Sequence, residues 1–179
     1  MSKDINAILV GMAKGNIHDL GELYAILSVR IFNYARLVAK NREAAEDITH
    51  DVFMQVLKQA TRLSKMENPT AYIMVITRNQ SYDYLKRGKR TAATLDDVSE
   101  MSDTPLPFNK LVIEDAISRL PANQRETVYL HFVCGYTQKE VASMMGAPLV
   151  TVKWRCRKAL SQLQAYFNPK KEGYSHEAT

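Results

Sequence analysis

Five side chains carry the strongest chemical signal in this 179-residue chain. Lys153, Trp154, Arg155, Arg157 and Lys158 flank an apolar series, Val152, Cys156, Ala159, Leu160 and Leu163, spaced i, i+4, i+7, i+8, i+11. One helix would bury that series and turn the cations outward. Guanidinium and ammonium groups donate to guanine O6 and N7 in the major groove, and a good bidentate contact is worth about 1–3 kcal/mol of discrimination. Lys153 and Arg157 are four residues apart in sequence and so face one groove together. A second signal combines Tyr72, Tyr82 and Tyr84 with Arg78, Lys86, Arg87, Lys89 and Arg90. Bases of opened DNA stack on aromatic rings while cations hold phosphates. Core tyrosines beside a basic helix end are the competing explanation, and Tyr72 in particular suits inward packing. A third set, Asp47, Asp51, Met54, Gln55 and Lys58, forms the second face of an amphipathic helix. Spacing leaves a docking surface and a solvated face with one Met equally open.

Enzymatic chemistry finds no support. The patterns GxxxxGK[ST], HExxH, GxSxG and GxGxxG do not occur. The sequence therefore predicts a binding protein with no catalytic residue and no cofactor. His131 and Cys134, three apart, could begin a metal site, but no further ligands cluster nearby in sequence and a structural role is expected. Cys156 reads as an inert core thiol. Two cysteines cannot build a disulfide framework, which points to a reducing cytoplasm. No run free of Asp, Glu, Lys and Arg exceeds 12 residues, so no membrane insertion is expected. The N-terminal stretch carries Asp4 and lacks a small-residue cleavage site, and reads as no signal peptide.

The formal net charge of +5 is unevenly spread. Residues 1–90 hold 14 Lys/Arg against 9 Asp/Glu; residues 91–109 hold four acids and no base; residues 110–179 hold 10 Lys/Arg against 6 Asp/Glu. Two basic modules joined by an acidic strap suit two polyanion-binding domains and a linker that avoids them.

Helical spacing positions these residues. Ile5, Ile8, Leu9 and Met12 form one stripe, stopping before Gly15. Leu20, Leu23, Tyr24, Leu27, Ile31, Tyr34, Ala35 and Val38 form a second, and Ala45, Ile48, Val52, Phe53, Val56, Leu57 and Ala60 a third. Asn68-Pro69 reads as an N-cap and first-turn proline opening a helix to about Lys86. No segment alternates as a strand. The acidic, proline-bearing stretch 91–108 reads as an extended linker. Beyond it, Leu111 to Leu120 is closed by Pro121, and residues 123–134 by Gly135. Thr137-Gln138-Lys139-Glu140 has the form of a capping box, Val141, Ala142 and Met145 supply an apolar face, Gly146 suits a left-handed helix end, and Pro148 suits the first turn of the next helix. Together these predict a helix-turn-helix with a basic second helix. The expected fold is all-α: two helical domains, an N-terminal bundle over 1–90 and a C-terminal helix-turn-helix domain over 109–168, joined by the acidic linker 91–108 and followed by a frayed tail, 169–179.

With these motifs in place the chain resembles the two-domain extracytoplasmic-function (ECF) sigma factors of bacterial RNA polymerase, within the sigma-70 family. AAEDITHDVFMQVLKQA (44–60) is similar to the helix that docks on the polymerase clamp. NPTAYIMVITRNQSYDYLKRGKR (68–90) is similar to the helix that handles the promoter −10 element, with Asn79, Asp83 and Tyr84-Leu85-Lys86-Arg87 in the family's pattern. Residues 116–163, with LP-x-x-x-R and TVK-x-R, resemble the −35-binding domain.

The resemblance implies a transcription initiation factor. Asp47, Asp51, Met54, Gln55 and Lys58 would meet the β′ clamp of core RNA polymerase, with the β flap a further contact. Asn68, Tyr72, Asn79, Arg78, Lys86 and Arg87 would handle the opened −10 strand. Lys153, Trp154, Arg157 and Lys158 would read −35 base edges, with Arg155 on a phosphate or in a scaffold role. Residues 95–107 would thread the polymerase cleft, and an anti-sigma partner would hold the factor inactive. Pro148, Val150 and Trp154 depart from the Ser or Thr, Gly and Ser common in the family. Trp154 either contacts a thymine methyl or sugar edge or packs back on its domain. The alternative functions are a stand-alone helix-turn-helix regulator of duplex DNA and an antagonist imitating a sigma domain.

Overall fold

The computed structural model describes residues 4–91, 113 and 115–168. All regular structure among them is helical: α1 (Ile5–Ala13), α2 (Ile17–Ala39), α3 (Arg42–Lys58), α4 (Ala60–Leu63), α5 (Pro69–Thr91), α6 (115–118), α7 (Ala122–Val128) running into a π-helical turn (Tyr129–Val133), α8 (Gln138–Met145) and α9 (Leu149–Phe167). The chain divides into two compact units, Met1–Met101 and Ser102–Thr179. The expected linker, Thr91 apart, and the expected tail lie outside the described residues, as do the side chains of Lys89 and Arg90.

In the first unit short polar residues open the helices. Asn16 Oδ1 accepts from His18 N–H (3.1 Å) and Asn41 Oδ1 from Ala44 N–H (2.8 Å). Asn68 Oδ1 accepts from Ala71 N–H (3.0 Å), ahead of Pro69, as the sequence predicts. The helix it opens continues past Lys86 to Thr91. The bundle packs α2 against α1, α3 and α5, and α3 against α5. Its core is Ile8, Leu9, Leu23, Leu27, Ile31, Tyr34, Val52, Val56, Leu63 and Ile73. On α3 and α5 the buried stripe includes Thr49, Thr77 and Ser81, whose hydroxyls donate to carbonyls one turn back (Ala45 at 2.6 Å, Ile73 at 2.9 Å, Thr77 at 2.7 Å). A satisfied hydroxyl is tolerated in a core where an orphaned one is not.

Three expectations for the stripes change. Tyr24 and Leu57 lie at stripe edges and stay exposed, although the Tyr24 ring lies against that of Phe53, tilted by 43° with centroids 4.8 Å apart. The third stripe is interrupted at Gln59, so Ala60 is buried from α4 instead of the end of α3.

Gly11 sits mid-helix where Ala would normally gain about 1 kcal/mol. Here a Cβ would lie 2.7 Å from Asp19 Cγ and overlap its carboxylate, which is buried near the start of α2. Overpacking costs about 1–3 kcal/mol and outweighs the propensity gain. Gly11→Ala is therefore expected to lower the thermal midpoint of the first unit. An unchanged or raised midpoint would refute the close approach.

In the second unit α9 packs against α7 and α8. Leu120, Val128 and Ala159 form a buried cluster with Leu163 against it. Arg125, the Arg of LP-x-x-x-R, closes the preceding turn: its Nη2 donates to Ser118 O (2.6 Å) and Leu120 O (3.0 Å). The far end of α9 is tied back by Tyr166, whose hydroxyl donates to Asp115 Oδ2 (2.7 Å), while Arg119 pairs with the same oxygen at 3.0 Å. The Tyr166 hydrogen bond, then Arg119, hold the Asp115 carboxyl below its ordinary value. A depressed folded-state pKa makes the tie fully present above the unfolded Asp value, about 4, and lost as pH falls through the lowered one. On acidification the amides of the last turn of α9 are expected to stay protected through the ordinary carboxylate range and to open only below it. Tyr166→Phe should move the Asp115 titration upward. An ordinary Asp115 titration in the wild-type protein would disprove the tie.

Candidate nucleic-acid interface

The helix-turn-helix forms from the signals in its sequence. Thr137 Oγ1 accepts from Glu140 N–H (3.2 Å) and Glu140 Oε2 accepts from Thr137 N–H (2.8 Å), a complete capping box. Gly146 ends α8 with φ 59°, in the left-handed region, and Ala147 N–H returns to Ala142 O (3.0 Å). Pro148 is extended (φ −59°, ψ 143°) and stands one position before the first turn of α9, as its N-cap. Val141, Ala142 and Met144 are the buried residues of α8; Met144 takes the place expected for Met145, whose Sδ instead accepts from Thr127 Oγ1 (3.4 Å).

α9 buries Val152, Cys156 and Ala159. Burial pushes the Cys156 thiol up, which keeps it protonated and unreactive. Leu160, expected inside, is exposed, and Leu163 is half-buried. Lys153, Trp154, Arg157 and Lys158 are exposed and Arg155 half-buried at the flank. The helix contains no acidic residue. Its first turn adds Leu149 and Val150 to the outward surface; neither is among the DNA-contacting residues expected from sequence.

The segment before α8 was expected to be one helix over 123–134. It is α-helical to Val128 and then widens: Cys134 N–H bonds Tyr129 O (2.9 Å), and Tyr136 N–H bonds Leu130 O (3.1 Å). His131 Nδ1 lies 2.6 Å from Tyr136 O, and Cys134 is buried, so both are built into this turn. Among the described residues no group of three or more His, Cys, Asp or Glu could hold a metal ion.

In the first unit Asp47, Asp51, Met54 and Lys58 are exposed along α3, with Gln55 half-buried. Gln55 Oε1 accepts from Gln80 Nε2 (2.8 Å), joining α3 to α5. Asp51, Gln55, Gln80, Asp83, Lys86 and Arg87 line one open groove. The α3 set and the basic end of α5, read separately in sequence, thus meet, and Gln80 and Asp83 join them. Lys86 Nζ lies 3.5 Å from Asp83 Oδ1, an exposed pair worth little.

Tyr72, Asn79 and Lys86 recur at i, i+7, i+14 on the side of α5 opposite Ile73, Thr77 and Ser81. Asn79 is exposed; Tyr72 and Tyr82 are half-buried. The Arg62 guanidinium stands 5.2 Å from the Tyr72 ring and that of Arg78 4.7 Å from the Tyr82 ring. Tyr72 is therefore neither fully packed inward nor fully offered to solvent. Asn68 is exposed, but its Oδ1 is committed to the cap of α5 and to Thr70 Oγ1 (2.8 Å).

A helix-turn-helix whose second helix carries exposed cations and no carboxylate is the arrangement of a DNA-binding protein. Residues 23–91 match the model for Sigma-70 region 2, and residues 110–163 that for Sigma-70, region 4. The chain is 27% identical over 166 residues to the ECF RNA polymerase sigma factor SigM of Mycobacterium tuberculosis, covering 90% of this chain and 85% of that protein. It is 28% identical over 149 residues to the ECF RNA polymerase sigma factor EcfG of Rhodopseudomonas palustris, covering 80% and 81%. Its fold is similar to that of the sigma factor RpoE of Bartonella quintana, solved in complex with the anti-sigma factor NepR (TM-score 0.73, 21% identity, 87% of this chain and all of that one). The chain belongs to the sigma-70 family of RNA polymerase sigma factors and is of the ECF type. It directs RNA polymerase to promoters and is not an enzyme. No helix among the described residues is long and apolar enough to cross a membrane.

Proposed function

We propose that the two units divide promoter recognition between them. α9 enters the major groove of the −35 element, where Lys153, Trp154, Arg157 and Lys158 meet base edges and Arg155 meets a phosphate. The α3 surface of Asp47, Asp51, Met54, Gln55 and Lys58 docks on the β′ clamp of core RNA polymerase, and the second unit meets the β flap. Asn68, Tyr72, Arg78, Asn79, Lys86 and Arg87 capture the opened −10 strand. Opening costs about 1.4 kcal/mol of stacking per base step, which captured bases must offset. The acidic segment 91–108 joins the two activities. The observation that carries this reading is the exposed cationic surface of α9, set behind an α8 that holds a complete capping box and ends at Gly146.

The factor acts in the cytoplasm and is held inactive by an anti-sigma protein. RpoE was solved with the anti-sigma factor NepR, and CnrH with the cytosolic domain of CnrY, and both share this fold (TM-scores 0.73 and 0.65).

Footprinting of the protein with core polymerase tests the division. Duplex protection near −35 together with permanganate-reactive thymines near −10 is expected. A palindromic footprint by the protein alone, without strand opening, would reject it in favour of a stand-alone regulator.

A further inference from the structure

We propose that Val150 and Trp154 form an apolar reading surface for thymine 5-methyl groups in the duplex element bound by α9. This inference rests on the reading of α9 as the −35 helix.

Val150 is 73% exposed and Trp154 54% exposed, so neither packs back onto the domain. They stand four apart, hence adjacent on one face. That face is opposite Val152, Cys156 and Ala159 and is shared with Arg157. Val150 lies in the first turn of α9, and the N-terminal residues of a recognition helix are those that reach base edges.

Lys153, Arg157 and Lys158 surround the pair, and α9 carries no carboxylate. Charge complementarity therefore selects a polyanion as the occupant, against an apolar protein surface. Among major-groove edges only thymine offers an apolar group, its C5 methyl. Opposite any other base Val150 would desolvate a donor or acceptor and return no hydrogen bond, and Trp154, whose one polar group is the indole N–H donor, could not satisfy an exocyclic amine. Thymine is thus favoured by contact and the other bases are disfavoured by desolvation.

The test uses the holoenzyme, core polymerase with this chain. Its preferred −35 duplex is first obtained by selection from random sequence. Each thymine is then replaced by deoxyuridine, which removes the methyl and keeps O4. Binding is expected to weaken about fourfold per contacted methyl, which is the ~0.8 kcal/mol of one buried CH2 at ~1.4 kcal/mol per decade. Trp154→Ser and Val150→Ala change exposed positions, and their holoenzymes should bind with little or no response to uridine at the same positions. Selection of a −35 sequence with wild-type binding indifferent to uridine would overturn the proposal, leave the −35 assignment standing and reassign the pair to a protein contact. Failure to select any −35 sequence would overturn both.

Discussion

Asp51→Arg is expected to abolish co-purification with core RNA polymerase while leaving the protein folded. Asp51 is exposed on α3 and lines the groove with Gln55, Gln80, Asp83, Lys86 and Arg87. That lining holds two carboxylates and two cations. The substitution leaves one carboxylate against three cations, so a partner selected for the balanced surface meets repulsion. Misplaced like charges at an interface cost several kcal/mol, here about 3 kcal/mol or roughly two orders of magnitude in affinity. Folding should hardly respond, because exposed substitutions away from caps and cores stay within about 0.5 kcal/mol. Circular dichroism and the thermal midpoint, read beside the co-purification, separate lost docking from lost structure. Undiminished co-purification would remove α3 from the docking surface.

Arg157→Ala should relax base preference at one −35 position and leave the others unchanged. Arg157 is exposed one turn after Lys153, opposite the buried stripe of α9, so truncation creates no cavity. Loss of a bidentate guanine contact costs about 1–3 kcal/mol at that base pair, up to roughly 150-fold. Affinities for single-base variants of the selected element measure this. Uniform weakening across all variants, with a shallower salt dependence, would mark Arg157 as a phosphate contact instead.

The local signals were legible in sequence because they act within a few residues. The Asn68-Pro69 start, the Thr137/Glu140 box and the Gly146 stop each satisfy or end backbone hydrogen bonds beside themselves. Stripe edges were not legible. The helical period gives the direction of an apolar face, whereas its width depends on the neighbouring helix. Tyr24, Leu57 and Leu160 follow the period and remain exposed, and Met144 displaces Met145. The π turn was hidden because it depends on Cys134 and Tyr136 bonding back across the end of the helix, a pattern no residue type announces.

The candidate sites divide in the same way. The cations of α9 were read from one helix alone. The groove forms where α3 packs on α5, with the Gln55–Gln80 bond across it, so Gln80 emerged only from the packing, and Asp83, legible as part of a family pattern, was placed beside Asp51 only there. Val150, named in sequence only as a departure from the family pattern, proved to be exposed in the first turn of α9. Arg125, legible as part of a motif, proved to be a clamp on the Ser118 and Leu120 carbonyls.

Run-off transcription on genomic fragments, with bacterial core polymerase and with or without the purified chain, addresses promoter selection most directly. Discrete transcripts that start at defined sites only when the chain is added are predicted. Core polymerase that gains no start-site selectivity, with no antagonist present, would contradict the account.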